Sequence, residues 1–462
     1  MSGALVLRDV ELSGARTHVR IENGVIQAIG DVAHAGAELI DAKGGALIPG
    51  LIDHHIHLFA TAARMNSIDL SGARAKQDIL NALKTASRAR PDDVWIRAIH
   101  FDETHAGLLS RDDLDQIGAK QRIRVQDRTG ALWVLNSLAL KRVLDDAPPA
   151  CVERDASGRF TGRIWRGDAW LRARIGATPP SLSALSRELA RFGIIGVTDT
   201  SATNGPEEAR LLGEARRHGE LLQSLHLMSA DAIPPAPEYT IGAIKILPDE
   251  RDLPELDSMI DTMRRARALN RAVAVHCVTT AELVLSLAAF EAVGARRGDR
   301  LEHGGLIPEA LFENIHALDL TIVTQPNFIF DRGDRYRETV APEDLPDLYR
   351  LGSLRQAGIA LAAGSDAPYG GLNPWSAIDA AARRKTKSGR PLGVNERIDA
   401  RDALGLYLGG FDDPGGAERE IRVGAPADLC LLASPLEYAL AAPRDAHILA
   451  TIARGEAIYR AS

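Results

Sequence analysis

Along residues 4–48 apolar and polar positions alternate in short runs, and after Pro49 the period changes. Ala4 to Leu12, Thr17 to Glu22 and Val25 to Gly30 read as strands, the last two joined across an Asn23-Gly24 hairpin turn, with further strand texture at Leu39-Ile40 and Ala46 to Ile48. Beyond Pro49, apolar runs of strand length alternate with segments whose apolar residues recur every three or four positions, the pattern of βα repeats around a parallel sheet. Ser183 to Phe192 illustrates it. Leu185, Leu189 and Phe192 fall at helical spacing, Gly193 suits a C-terminal cap, and Ile194 to Thr200 reads as a buried strand. Eight such strands are expected: Leu47 to His57, Val94 to His100, Ile194 to Thr200, Thr240 to Leu247, Ala272 to His276, Arg300 to His303, Thr321 to Gln325 and Ile359 to Ser365. That number predicts an α/β fold, a (β/α)8 TIM barrel, over 51–417. Residues 101–193 are too long for one βα connection and are expected to form an insertion over the active face or extra helices beside the barrel. Strand texture returns at Gly424 to Leu432 and Ile448 to Tyr459, so 1–50 and 418–462 should form one small β-sandwich built from both chain ends.

Composition narrows the function classes. The chain has 462 residues, 45% of them hydrophobic and a quarter charged, as in an ordinary folded globule with a large core. A net charge of -7 and the absence of a Lys/Arg cluster argue against nucleic acid and for a small-molecule substrate; a homo-oligomer is compatible with the composition. No basic segment followed by a long apolar one opens the chain, and no stretch of about 18 uncharged apolar residues occurs, so no membrane association and a cytoplasmic location are expected. Cys151, Cys277 and Cys430 are widely spaced, without a CxxC pair, which suits a reducing compartment.

The chemistry concentrates at strand ends, where α/β barrels carry their reactive groups. In Pro49-Gly-Leu-Ile-Asp-His-His-Ile-His57, alternation turns His55 and His57 to one side and His54 to the other, where it reads as structural. Alone the pair says little, since with 13 histidines a His-x-His arises by chance in roughly one such chain in three. Four further strands add Lys245, His276, His303 and Asp366, each of a type that can bind a divalent cation directly or after modification. The bland alternatives are a snorkelling Lys245, core histidines at 276 and 303, and a helix-capping Asp366. Candidate substrate contacts are His100 and Asp102 after the second expected strand, Trp133 in the insertion, Gln325 and Asn327 after the seventh, and Arg332 and Tyr336 in the following loop.

These motifs together resemble the amidohydrolase superfamily, metal-dependent hydrolases on a distorted (β/α)8 barrel with a composite β-sandwich. Pro49 to His57 is similar to its first-strand signature, Leu301-Glu-His-Gly304 to the sixth, Gly364-Ser-Asp366 to the eighth and Gly424 to Leu432 to the C-terminal sandwich segment. Asn136-Ser-Leu-Ala-Leu140, with Gly364 to Pro368 and Asn373-Pro374, further resembles the branch that includes N-substituted formamide deformylases. Two departures stand out: Thr129-Gly-Ala131 occupies the place of that branch's Ser-Gly-His, and Lys245 runs into Leu247-Pro-Asp-Glu-Arg-Asp252 in place of a Gly- and Ser-rich loop.

The resemblance implies two Zn2+ ions, one held by His55, His57 and Asp366, the other by His276 and His303, bridged by a carbamylated Lys245. It further implies cleavage of a non-peptide carbon–nitrogen bond by metal-bound hydroxide, with Asp366 as general acid/base. Deamination of a heterocycle is the alternative, which in this superfamily usually uses one metal and lacks the fourth-strand lysine. A non-catalytic binding relative is disfavoured by the complete ligand set.

Overall fold

A computed structural model of the chain describes residues 4–145, 147–176, 179–248 and 252–461. Residues 249–251 of the loop after Lys245, and the first three residues of the N-terminal segment, lie outside the described residues. The chain divides into two compact units, Met1–Thr61 with Ser181–Ser462, and Ala62–Pro180.

The first unit holds eight strands in one parallel sheet: Leu51–Ile56, Ile194–Asp199, Ser224–Ser229, Thr240–Ile246, Val273–Cys277, Arg300–His303, Thr321–Thr324 and Leu361–Ala363. Runs such as Leu51–Ile56 and Ile194–Asp199 are buried at every position, which is why most of their residues are apolar. The sheet curls until its two edges meet. Beyond the eighth strand the backbone N–H of Asp366 donates to the carbonyl of His55 at 2.7 Å, and that of His57 donates to Ala367 at 2.9 Å. Gly364 permits this approach, since a Cβ there would sit 2.4 Å from the backbone nitrogen of His55. The result is a distorted (β/α)8 TIM barrel.

One strand expectation is corrected. Val94 to His100 does not enter the barrel: the strand Trp95–Phe101 pairs instead with Ile68–Asp69 and Arg122–Asp127 in the second unit. Its place in the barrel count is taken by Ser224–Ser229, whose sequence Ser-Leu-His-Leu-Met-Ser alternates like a half-exposed strand although it is almost wholly buried. The two errors cancel, so Lys245 still stands on the fourth barrel strand and His276 on the fifth.

The buried polar group that masks this strand is His226. It is 3% exposed, with Nδ1 2.8 Å from Thr240 Oγ1 and its ring stacked on Phe411. Burial first, and then Arg300 and Arg271, push its imidazolium down to about 3. The folded chain therefore binds this proton only at much lower pH than the unfolded chain, whose histidine titrates near 6.5. Its contribution to stability is complete above about pH 6.5 and declines as pH falls toward 3, by up to about 1.4 kcal/mol per unit. Urea midpoints are expected to fall between pH 6.5 and 4, and His226→Gln, which can still bond Thr240 but does not titrate, should lose part of that slope.

Two four-stranded sheets complete the first unit. One runs Val25–Gly30, Ala15–Glu22, Ala4–Leu12 and Ala37–Asp41, and the other Glu456–Arg460, Ile448–Ala453, Leu429–Leu432 and Leu47–Pro49. They share a core in which Leu5, Leu7, Val19 and Ile21 meet Leu429, Leu431 and Ile452. Each fully buried side chain of this kind contributes about 1.5–3 kcal/mol, and these contacts draw both ends of the chain into one sandwich.

The second unit is a six-stranded sheet ordered Val152–Arg154, Phe160–Trp165, Leu132–Leu135, Arg122–Asp127, Trp95–Phe101 and Ile68–Asp69. One face buries Ile96, Ala98, Ile123, Val125, Leu132 and Val134. This unit starts earlier than the insertion expected at 101–193, because Trp95–Phe101 belongs to its sheet. Among the described residues no helix is long and apolar enough to cross a membrane.

Candidate active site

His55 is the penultimate residue of the first barrel strand and His57 follows that strand, their ring centroids 5.4 Å apart. Both turn Nε2 toward one oxygen, Asp366 Oδ1, at 3.5 and 3.2 Å. Asp366 reaches that point because its backbone is left-handed, with φ of 48°, a conformation that Asp and Asn adopt more readily than most residues. From the fifth and sixth strands His276 and His303 stack edge to face with centroids 4.5 Å apart, and His303 lies 4.7 Å from His55. Lys245 lines the same cavity from the fourth strand. The structure thus brings all six expected metal ligands to one mouth of the barrel.

The donor chemistry fits a cation. His55 Nε2, Asp366 Oδ1 and Lys245 Nζ are buried without a hydrogen-bond partner. Ligand atoms of His55, His303 and Asp366 lie within 4.8 Å of one another. An orphaned buried polar atom costs roughly 1–3 kcal/mol, so three of them on residues that line one cavity suit a further polar or charged group there. Burial holds the imidazoles of His55 and His303 below their usual titration range and pushes His276, with help from Lys245, down to about 4. Neutral imidazoles keep a lone pair for a metal. Burial also lowers the Lys245 ammonium, disfavouring its protonated form. The imidazoles around Asp366 hold its carboxyl below the usual carboxylate range against the opposing effect of burial.

Residues behind the ligands fix their orientation. Glu302, wholly buried, accepts from His55 Nδ1 and from Arg300 Nε, so the proton of His55 is on Nδ1 and its Nε2 faces the site. Ser201 Oγ sits 3.0 Å from His57 Nδ1, and Gln325 Oε1 2.8 Å from His303 Nδ1. Asp53 Oδ1 accepts from the backbone N–H groups of His55 at 3.1 Å and Ser365 at 2.9 Å, joining the first strand to the segment that carries Asp366. Burial raises its carboxyl to about 6. Sequence reasoning missed Glu302, Ser201 and Asp53. A signal for Glu302 existed, since Arg300-Leu-Glu302 places two charges on one side of a strand too buried to solvate them.

Of the candidate substrate contacts, Arg332 and Tyr336 line the cavity, a space of about 560 Å³. Gln325 and Asn327 are buried, the first behind His303, the second donating to the Ser365 carbonyl at 3.0 Å. In the second unit, His100 Nδ1 lies 3.1 Å from Asp69, Asp102 caps the short helix Glu103–Ala106 and pairs with Arg128, and Trp133 packs in the core with Nε1 donating to Asp168 at 2.8 Å. His54 is wholly buried and does not line the cavity. Cys277 is buried 3.2 Å from Ser286 Oγ, and burial pushes its thiol up to about 12, away from the thiolate form.

Comparison with known proteins places this arrangement. The Amidohydrolase family matches residues 38–459. An N-substituted formamide deformylase from Arthrobacter pascens is 25% identical, with 92% of this chain and 90% of the relative covered. An uncharacterized metal-dependent hydrolase from Pyrococcus horikoshii shares the fold with a TM-score of 0.79 at 20% identity, covering 96% of this chain and all of that one. A 5-methylcytosine deaminase from Klebsiella pneumoniae shares it more loosely, at a TM-score of 0.54 and 16% identity, over 99% and 98% of the two chains. With the family match spanning nearly the whole chain and the family's ligand types gathered at the barrel mouth, the chain belongs to the amidohydrolase family and is a hydrolase acting on carbon–nitrogen bonds.

Proposed function

We propose that the protein hydrolyses a non-peptide amide, of the N-acyl or N-formyl type, in a small organic molecule. One observation carries this reading: three residues with orphaned buried polar atoms, His55, Asp366 and Lys245, line one cavity whose walls are mostly apolar. His55, His57 and Asp366 would hold one divalent cation and His276 and His303 a second, with zinc suited to imidazole and carboxylate donors. Lys245, as the carbamate formed when its neutral amine adds CO2 and loses a proton, would supply a further anionic donor to the metal site. Its burial without an acceptor supports that form, because an ammonium there would be an unpaired buried charge. Bound divalent metal supplies Lewis acidity and lowers the pKa of water toward about 7.

The chain's own residues do the rest. Asp366, ionised at neutral pH, takes the proton of the attacking water and returns it to the leaving nitrogen as the carbon–nitrogen bond breaks, giving a carboxylate and an amine. Glu302, Ser201 and Gln325 keep three histidines from rotating. The apolar walls, among them Val278, Leu306, Phe328 and Leu348, exclude water from the rest of the substrate and favour an apolar acyl or amine portion. The free thiols of Cys151, Cys277 and Cys430 support a cytoplasmic setting.

A panel of N-acyl amines and amino-heterocycles, scored for released amine and ammonia, tests the assignment. Amine from the acylated compounds is the expected result, and ammonia from heterocycles alone would replace it with deamination.

A further inference from the structure

The cavity contains one charge that the hydrolytic chemistry does not use. Arg332 lines it, away from the histidines in sequence, on the short helical segment that follows the seventh barrel strand. Its guanidinium lies over the ring of Phe328, 4.0 Å from the centroid. Nε and Nη2 both donate to the carbonyl oxygen of Tyr369, at 3.1 and 2.8 Å. These contacts fix the plane of the fork but leave its charge uncompensated, because among the described residues no carboxylate lies within ion-pair distance. Asp331, its neighbour in sequence, is turned to the backbone N–H of Gly371 at 2.9 Å. The hydroxyls of Tyr336 and Tyr349, 3.3 Å apart, line the same cavity and add polar atoms to its otherwise apolar wall.

A fixed guanidinium with spare donors, stacked on an aromatic ring inside an apolar cavity, is built to receive an oxyanion. We propose that Arg332 binds a carboxylate on the substrate, so that the preferred substrates are amides whose apolar body ends in a carboxylate remote from the scissile bond. This rests on the hydrolytic reading above for the position of that bond, and on Arg332 alone for the charge. Nη1 and the free face of the fork take the carboxylate, while Phe328 and Tyr369 keep the guanidinium in register.

The test compares N-acetyl-6-aminohexanoic acid, whose carboxylate lies at the far end of an apolar chain from the amide, with its methyl ester, on the metal-replete full chain. Wild type is expected to favour the acid by roughly 10- to 100-fold in kcat/KM, mainly through KM, as one charge-assisted hydrogen-bonded contact provides. In Arg332→Gln the ratio of acid to ester should collapse toward one, and Arg332→Lys should keep part of it. Equal use of acid and ester by wild type overturns the proposal without reference to any variant, as does an unchanged ratio in Arg332→Gln. Should neither compound be cleaved, the hydrolytic reading fails for this class, and calorimetry on the same pair decides the charge question separately. Tighter binding of the acid that Arg332→Gln removes upholds the site, and equal binding of acid and ester rejects it.

Discussion

Asp366→Asn is expected to lower kcat by at least about 10³-fold while leaving the fold intact. The side chain keeps its shape and one oxygen near His55 and His57, but it loses the charge and the capacity to accept a proton. Backbone strain does not confuse the outcome, because asparagine tolerates the left-handed φ of 48° at this position as well as aspartate does. Steady-state turnover on an N-acyl amine, paired with a thermal unfolding curve, separates lost chemistry from lost structure. A variant that unfolds like the wild type and turns over within a few-fold of it would remove Asp366 from the reaction.

The second large effect lies one layer behind the ligands. Glu302 is wholly buried and Arg300 is 2% exposed, and they form an ion pair that also holds His55. Arg300 and the hydrogen bond from His55 keep the Glu302 carboxyl ionised against its burial. Glu302→Ala leaves Arg300 charged and unpaired in the interior, which costs roughly 3–5 kcal/mol when one partner of a buried pair is removed. It also frees His55 Nδ1, and loss of such an outer partner typically weakens metal affinity by about 10- to 100-fold. Glu302→Gln retains an acceptor for His55 without the charge, so it should fall between wild type and alanine in both measures. Denaturant titration of the metal-free chains reads the first effect, and competition with a chromogenic chelator reads the second.

Legibility in the sequence followed the range of the interaction. His55 and His57 could be paired from alternation along one strand, and Lys245, His276, His303 and Asp366 from their places at strand ends, because both cues are local. Glu302 supports His55 across 247 positions of sequence and Ser201 supports His57 across 144, distances over which no periodicity reports. Gln325 and Asn327 were legible as polar residues at a strand end, but not as residues turned inward to hold His303 and Ser365. The barrel strand Ser224–Ser229 hid for a related reason. Its buried His226 finds a partner in Thr240 on the adjacent strand, so its polarity resembles exposure until that neighbour is known. Conversely, Val94 to His100 has the apolar content of a barrel strand, and only its pairing with Arg122–Asp127 assigns it elsewhere.

The proposed hydrolysis requires bound metal. The most direct measurement is turnover of an N-acyl amine by chelator-stripped protein as Zn2+ is returned to it stoichiometrically, with bound metal counted by elemental analysis. The expected result is an inactive stripped protein whose activity rises with bound Zn2+ and saturates as the site of His55, His57, Lys245, His276, His303 and Asp366 fills. Full activity in protein shown to be metal-free would contradict it.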